Sequence, residues 1–468
     1  MKLIQTKNAS VNYLAKVVEI KDFFPHPNPE VTKLKVCKVD GYNMIVGIGE
    51  KEGVYVYFPA LSQINSNLLS YANLYRHGNL NSNPEKTGFF EDNGRVKAIK
   101  LKGMVSEGFL LPFEVLQNWL IDSVNKKIDD EESCINKEFD AVEHNGKEIW
   151  INKKYIIIEQ RTHGLNEPKE RANVKKYDKL VEGQFRFHYD TAQLRKNPYA
   201  IQKDDIIHIS SKFHGTSAIS ANVICKFPKS WIDKIVCRIH NLFNKENKIV
   251  DVNNNYRYDN VYASRTVVKN KYYNKAVGLG YYKCDVWGEA NKALSSLIPK
   301  GYTLYYEIVG FLPTGGYIQK DYDYGCLPPE EGEKYTINKH FRIIVYRITI
   351  TNADGRVFEL SPKEVQYWCK NNGLEPVVEL YYGKASDLYP DIKDSENWND
   401  AFIDKLADDK NFYMELDSPD CKNKVPHEGI VIKVDNMTPN AVKLKSFRFL
   451  GKESEELDKG IANIEDNN

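Results

Sequence analysis

From residue 206 to residue 445 the chain repeats one pattern: a short apolar run with a charged or aromatic residue set in it or beside it. The runs are Ile206–Ile209 leading into Ser210-Ser211-Lys212-Phe213-His214-Gly215-Thr216-Ser217, then Tyr262-Ala263-Ser264-Arg265-Thr266, then Tyr305-Tyr306-Glu307-Ile308-Val309-Gly310. Phe341-Arg342-Ile343-Ile344-Val345-Tyr346, His427-Glu428-Gly429-Ile430-Val431-Ile432-Lys433 and Val442-Lys443-Leu444-Lys445 follow. Runs of this length and β-branched content predict strands. Helix signals are fewer: Ser361–Asn371 opens on a Ser cap with Pro first and stops before Gly373, and Trp398–Leu406 is a second candidate. Strands with interspersed helices predict an α+β chain of antiparallel sheets with flanking helices.

At 468 residues, two or three domains are expected. Eight cysteines without C-x-x-C pairs suggest neither a disulfide framework nor a structural zinc site. No apolar run approaches the roughly 20 residues of a membrane helix, and no signal-peptide stretch opens the chain. A reducing cytoplasmic setting is expected (that of a host cell if the source is viral), with no membrane partner. Lys and Arg total 65 against 64 Asp and Glu, so the net charge of +1 carries no nucleic-acid signal, and such a signal must be local.

The first quarter reads as short strands: Leu14–Lys21, Thr32–Val39, a turn at Asp40-Gly41, then Asn43–Gly47, Val54–Phe58, Arg95–Lys102 and Gly108–Pro112. About five strands in so short a span predict a small barrel or sandwich over residues 1–115. The lysines of Arg95–Lys102 either line a phosphate groove or form a solvated strand face. Residues 116–155 are polar and read as a connecting segment with limited structure. Residues 156–455 hold the patterned strands, and 456–468 read as an acidic, disordered tail.

A lysine at a strand end before a Gly turn presents its amine to a phosphate, and becomes a nucleophile when it loses its proton. By itself Lys212 is equally an exposed turn lysine. Lys443 and Lys445, two apart, share one strand face, where an anion between them would relieve their repulsion. Glu307 and Glu428 are either site carboxylates or plain strand carboxylates. Phe341 is either core or a stacking platform, with Tyr346 the less favoured alternative. His214 either orders its loop or touches substrate.

Taken in order, these strings resemble the six motifs of the covalent nucleotidyltransferases: DNA ligases, RNA ligases and capping enzymes. Lys212-Phe213-His214-Gly215-Thr216 looks closest to RNA ligases of the RNA ligase 2 type, and the lead-in Phe185–Lys196 looks like that of phage-type members. Phe24-Pro25-His26-Pro27-Asn28 with Lys33–Asp40 resembles the opening of tRNA-binding OB domains. It is also similar to the N-terminal OB domain of the Deinococcus-type RNA-repair ligases. Only about twenty residues follow Lys445, too few for the OB domain that DNA ligases and capping enzymes carry there.

The resemblance implies an OB-fold domain before an ATP-grasp-like ligase domain. It implies an ATP-dependent RNA ligase that joins a 3′-hydroxyl to a 5′-phosphate through lysyl-AMP and RNA-adenylate. ATP and magnesium, with manganese as a substitute, are the implied cofactors. RNA ends, at a nicked duplex or a broken RNA, are the implied partner, and no protein partner is indicated. Lys212 would attack the α-phosphorus, and the carbonyl near Ser211 would read the adenine amino group. His214 and Gly215 would belong to the nucleotide-binding loop, Arg265 would contact the nucleotide, Glu307 the ribose, and Phe341 would stack on adenine. Glu428 would position the hydrated metal, and Lys443 and Lys445 would hold the phosphate. A ligase for DNA or hybrid nicks, and an RNA-binding protein with a decayed site, are the alternatives. Two insertions, about 225–260 and 350–425, depart from the pattern. The first, which contains Lys and Arg residues, either touches RNA or, as the favoured reading, elaborates the surface, and the second reads as a family-specific subdomain.

Overall fold

The computed structural model describes residues 1–128, 132–157, 178–244, 248–270, 282 and 284–461. Residues 462–468 of the expected acidic tail lie outside that set, but the tail's start does not: a helix runs Phe447–Asp458.

Two antiparallel sheets carry the patterned strands. One is six-stranded, in the order Asn254–Ser264, Thr216–Pro228, Tyr302–Gly310, Phe341–Thr351, Val357–Glu359, with Glu375–Pro376 added in parallel to Phe341–Thr351. The other is five-stranded, in the order Ala192–Gln193, Val442–Lys445, Gly429–Val434, Ile206–Ser211, Glu379–Lys384. Each buries alternate residues against its own helices. Ile308, Ile343 and Val345 pack on Trp287, Leu294 and Val365. Ile207, Ile209, Ile432, Val442 and Leu444 pack on Trp398, Phe402 and Leu406. Period two therefore sends the intervening residues, His208, Ser210, Lys443 and Lys445 among them, to the opposite face. There the two sheets enclose a cavity lined from both sides.

The helix Pro362–Asn371 begins as the sequence predicts, with Ser361 and Glu364 forming a capping box behind Pro362. The region 350–425 is not an appended subdomain, because Glu379–Lys384 is a strand of the five-stranded sheet and Val357–Glu359 a strand of the six-stranded one. The insertion at 225–260 lengthens a hairpin whose register runs from Ala218↔Ser264 to Pro228↔Asn254 and carries a helix, Trp231–Phe243, beyond its end.

The N-terminal strands form a four-stranded sheet (Gly108–Pro112, Gly53–Pro59, Ala15–Ile20, Glu138–Phe139) and a three-stranded one (Phe24–Pro25, Leu34–Val39, Tyr42–Gly47). They share an apolar layer of Val18, Ile20, Cys37, Val39, Met44, Tyr55 and Leu110. Among the described residues no backbone ladder closes them into the expected barrel. The Ile45 N–H is instead capped by the Ser106 hydroxyl at 3.1 Å. Residues 116–155 also differ from expectation. They hold most of the helix Phe113–Val124 and the strands Glu138–Phe139, Ala141–His144, Lys147–Trp150 and Asn152–Lys154. These strands return to the N-terminal sheets: Lys2 pairs with Glu143, Ala15 with Phe139 and Ile64 with Asn152.

Arg95 and Lys97 are engaged within the protein, whereas Lys100 and Lys102 are exposed. The Arg95 side chain is fully buried, donating to the Ser454 hydroxyl at 2.8 Å and to the Ser454 carbonyl at 3.1 Å, and it pairs with Asp458. Lys97 reaches Asp458 at 2.9 Å. The N-terminal sheets thus hold the helix Phe447–Asp458. Arg95→Ala should cost about 2–3 kcal/mol, since hydrogen bonds to charged groups contribute about 1.5–3 each and their loss strands buried acceptors. Denaturant melts of both proteins measure it, and an unchanged midpoint would leave this contact without weight.

Candidate active site

Lys212 leaves the end of the strand Ile206–Ser211, its N–H donating to the Gly429 carbonyl at 2.9 Å. Its Nζ lies 2.8 Å from Glu428 Oε1. Glu428 is 5 % exposed, and its Oε2 accepts no hydrogen bond, although the His214 ring stands 3.7 Å away. Lys445 Nζ is 3.9 Å from Glu428 Oε1 and 2.9 Å from both Glu453 oxygens. Lys443 lies opposite Val431 and lines the cavity. Burial pushes its ammonium down to about 8; Asp190 opposes the shift, and Lys445, Lys212 and Arg265 add to it.

Two glycines make this approach geometrically feasible. A Cβ on Gly215 would stand 2.4 Å from the Ile308 carbonyl oxygen and 2.8 Å from Glu307 Cγ. At Gly429, φ is +133° and a Cβ would meet the Leu444 carbonyl oxygen at 2.1 Å.

The His214 loop is ordered by Tyr324, whose hydroxyl accepts from the His214 N–H at 2.9 Å and donates to its carbonyl at 3.0 Å. The Ser211 hydroxyl bonds Asp420 at 2.9 Å and His427 Nε2 at 2.8 Å. Burial, reinforced by Lys212, pushes His427 down to about 4, so it is neutral at physiological pH. Arg265, just past the strand Asn254–Ser264, pairs with Asp190. Glu307 lies between Ser217 and Ile344 in register and lines the cavity.

Phe341 does not reach the cavity. It is 2 % exposed, in the core on the helix side of its sheet, with its ring stacked on Tyr335 at 4.7 Å. Residues 341, 343 and 345 share that face. Tyr346 lines the cavity with Ile344, Val377 and Val431. The register skips from Tyr305↔Arg347 to Tyr306↔Val345, so Tyr346 is the extra residue of a bulge, and both it and Arg347 face the cavity.

Among the lining residues that motif reading passed over are His188, Tyr189, Asp190 and Arg347. His188 is pushed down to about 3 by burial and by Arg347, Arg265, Lys443 and Lys212, which keeps it neutral among cations. Asp190 lies inside the lead-in string Phe185–Lys196, and that string was its only signal. Glu453 had a weaker one, the Ser446 cap whose hydroxyl accepts from the Phe449 N–H.

A second cavity adjoins the first and shares Asp190, Lys212, Arg265 and Lys443 with it. It is lined by Tyr13, Lys154 and Tyr155 from the N-terminal sheets and by Lys320, Lys445, Lys452 and Glu453 on the other side. A cavity with aromatic walls therefore meets, at Lys212, a second one of similar size and mixed charge.

By sequence the chain matches no protein-family model and no curated protein. By structure it is similar to an RNA ligase of Naegleria gruberi. An apo variant aligns with a TM-score of 0.54 at 15 % identity, covering 95 % of this chain and 99 % of that one. A variant solved with ATP and manganese aligns at 0.52 and 14 %, covering 95 % and 100 %. The chain has the fold of an RNA ligase. That shared fold spans the N-terminal sheets as well as the two that carry Lys212. A further Naegleria variant, solved with AMP and manganese, aligns at 0.51 and 14 % identity over 95 % of this chain and 99 % of that one.

Proposed function

We propose that the protein is an ATP-dependent RNA ligase that seals a 3′-hydroxyl to a 5′-phosphate. The observation that carries this reading is the position of Lys212 Nζ. It lies at the junction of two cavities, 2.8 Å from a buried carboxylate and close to Lys443, Lys445 and Arg265. The Lys212 lone pair attacks the α-phosphorus of ATP, the bond to the bridging oxygen breaks, and pyrophosphate leaves with that electron pair. The lysine gives up its protons as the phosphoramidate forms. AMP then passes to the RNA 5′-phosphate, and the 3′-hydroxyl displaces it.

Positioning and charge neutralisation do most of the work in phosphoryl transfer. Lys443 and Lys445 hold phosphate oxygens, with Glu453 keeping Lys445 in place. Tyr346 stacks on the adenine, Glu307 holds the ribose, and the carbonyl near Ser211 reads the amino group. Glu428 suits a divalent cation. Its Oε2 is buried without a hydrogen bond, and a mostly hydrated magnesium or manganese needs only one or two carboxylates. Such an ion would neutralise phosphate charge and compete with Lys212 for Glu428.

The two packed N-terminal sheets fit an OB-like grip on nucleic acid, in the arrangement of the Deinococcus-type ligases. The second cavity, between those sheets and Lys212, is where the strand ends would lie.

The test is incubation with α-labelled ATP and a divalent ion, followed by a panel of nicked RNA, DNA and hybrid duplexes. Covalent label and sealing of RNA are expected. Sealing of DNA alone would move the assignment to the alternative substrate, and absence of label would leave a binding protein. Tyr346→Ala should weaken ATP binding about tenfold or more, since stacking on a base contributes about 1–3 kcal/mol. Phe341→Ala should instead cost about 3–5 kcal/mol of stability with ATP affinity retained in the folded fraction. Calorimetric titration and melting of the two variants distinguish the roles, and the reverse pattern would return the stacking role to Phe341.

A further inference from the structure

The helix Trp231–Phe243 is built inside out. Trp231, Ile232, Ile235, Val236, Ile239, Leu242 and Phe243 are each 42–82 % exposed. At 100° per residue they fall on one continuous arc of about 140°. The opposite, polar side faces the protein: Cys237 is buried, and Lys234, His240 and Asn241 are half-buried. A surface helix ordinarily turns its apolar stripe to the core. This one is held the other way round by polar contacts. Asn241 exchanges two hydrogen bonds with Ile249, at 3.0 and 2.7 Å, and Lys229 Nζ bridges Cys237 Sγ at 3.4 Å and the Asp251 carbonyl at 2.8 Å.

The surroundings of the stripe are basic. Residues 226–244 hold Lys226, Lys229, Lys234 and Arg238 against one acid, Asp233, in a chain whose net charge is +1. Asp233 is engaged by the Ser230 cap at 2.7 Å. Lys234 and Arg238 border the arc on its Trp231 edge. The helix is a single convex stripe. Thirteen residues span about 20 Å. A lipid surface takes a helix of this kind, with Trp, Phe and Leu on one face and basic residues beside it, lying in the headgroup plane.

We infer that this helix docks the protein onto an anionic membrane surface, with the apolar arc among the acyl chains and Lys234 and Arg238 among the phosphates. The attachment is peripheral, and it departs from the sequence expectation of no membrane partner. The helix lies at the far end of the long hairpin, away from Lys212, so a docked ligase keeps its cavities open.

The test uses the full chain in co-sedimentation with vesicles of phosphatidylcholine alone and of phosphatidylcholine with about 30 % phosphatidylserine, at low and high salt. Capture by the anionic vesicles is expected, weakened by salt. It should fall at least about tenfold in an Ile239→Asp, Leu242→Asp variant, because two side chains leave the acyl region. Tyr367→Asp, on an equally exposed residue elsewhere, should leave capture unchanged, as should covalent AMP transfer by the helix variant. No capture, or capture indifferent to the helix substitutions, overturns the inference. A dimer in sedimentation velocity that these substitutions dissolve gives the face to a second copy and overturns it too. So does a loss of RNA affinity in place of lipid capture.

Discussion

Lys212→Ala should reduce covalent transfer of AMP to background while leaving the fold and much of the ATP affinity intact. The nucleophile cannot be replaced by a neighbour. Lys445 is paired with Glu453, and Lys443 stands across the strand pair on the cavity wall. In the free protein the substitution removes the only protein group within 3 Å of Glu428 Oε1 among the contacts described, so binding of manganese at Glu428 should tighten rather than weaken. Single-turnover labelling with α-labelled ATP reads the first effect and a manganese titration the second. Residual labelling above background would move the nucleophile to another lysine. Pre-formed RNA-adenylate separates the steps: the variant should still seal it, because Lys212 is not needed as a nucleophile once AMP has moved to the RNA.

Lys443→Ala should slow AMP transfer about 10²-fold or more, the effect of removing one preorganised donor from developing phosphate charge. The same residue gives the reaction a pH signature. Burial lowers its ammonium to about 8 in the free protein, with Lys445, Lys212 and Arg265 adding to the shift against Asp190. Only the protonated form attracts phosphate. ATP affinity should therefore be full below about pH 8 and decline as pH rises through it, with a proton taken up on binding. Lys443→Arg keeps its charge throughout this range, so its ATP affinity should stay level across it, even where the planar guanidinium fits less well. Calorimetric titrations from pH 7 to about pH 9.5 in two buffers of different ionisation enthalpy measure affinity and proton uptake together. A level profile for the parent protein would deny Lys443 its phosphate role.

The patterned strands were legible because a charged residue held in an apolar strand leaves a mark in one dimension. Glu307, Lys443 and Lys445 each interrupt a run whose alternate members are core, and the register of two sheets then aims them into one cavity. The residues that escaped do their work through distant partners. Asp190 matters only because Arg265 and Lys443 stand near it, and Glu453 only because its helix is laid against Lys445. Phe341 and Tyr346 fall on opposite faces of one strand by simple alternation, but which face meets the cavity depends on the helix residues packed under the sheet, Trp287 and Val365 among them. The connecting segment 116–155 was misjudged for a related reason. Its strands are short and polar on one side, and they are strands only because Lys2, Ala15 and Ile64 wait for them. The run Trp231–Phe243, with its Ser230 cap, has a helical period. Which side of it faces water depends on Asn241, Ile249 and Lys229, contacts that exist only once the hairpin has formed.

The anchoring of the helix Phe447–Asp458 by Arg95 makes the chain a poor subject for modular engineering. Among the described strands, those up to residue 157 pair only with one another, and so do those from residue 178 on. In space the last helix belongs to both: Glu453 on it steadies Lys445, while Ser454 and Asp458, one and five residues further on, are gripped by Arg95 from the opposite part. A chimera that borrows a foreign N-terminal grip must bring a matching final helix with it. A truncation at residue 115 would loosen the helix that supports Lys445 at the same stroke as it removed the N-terminal sheets.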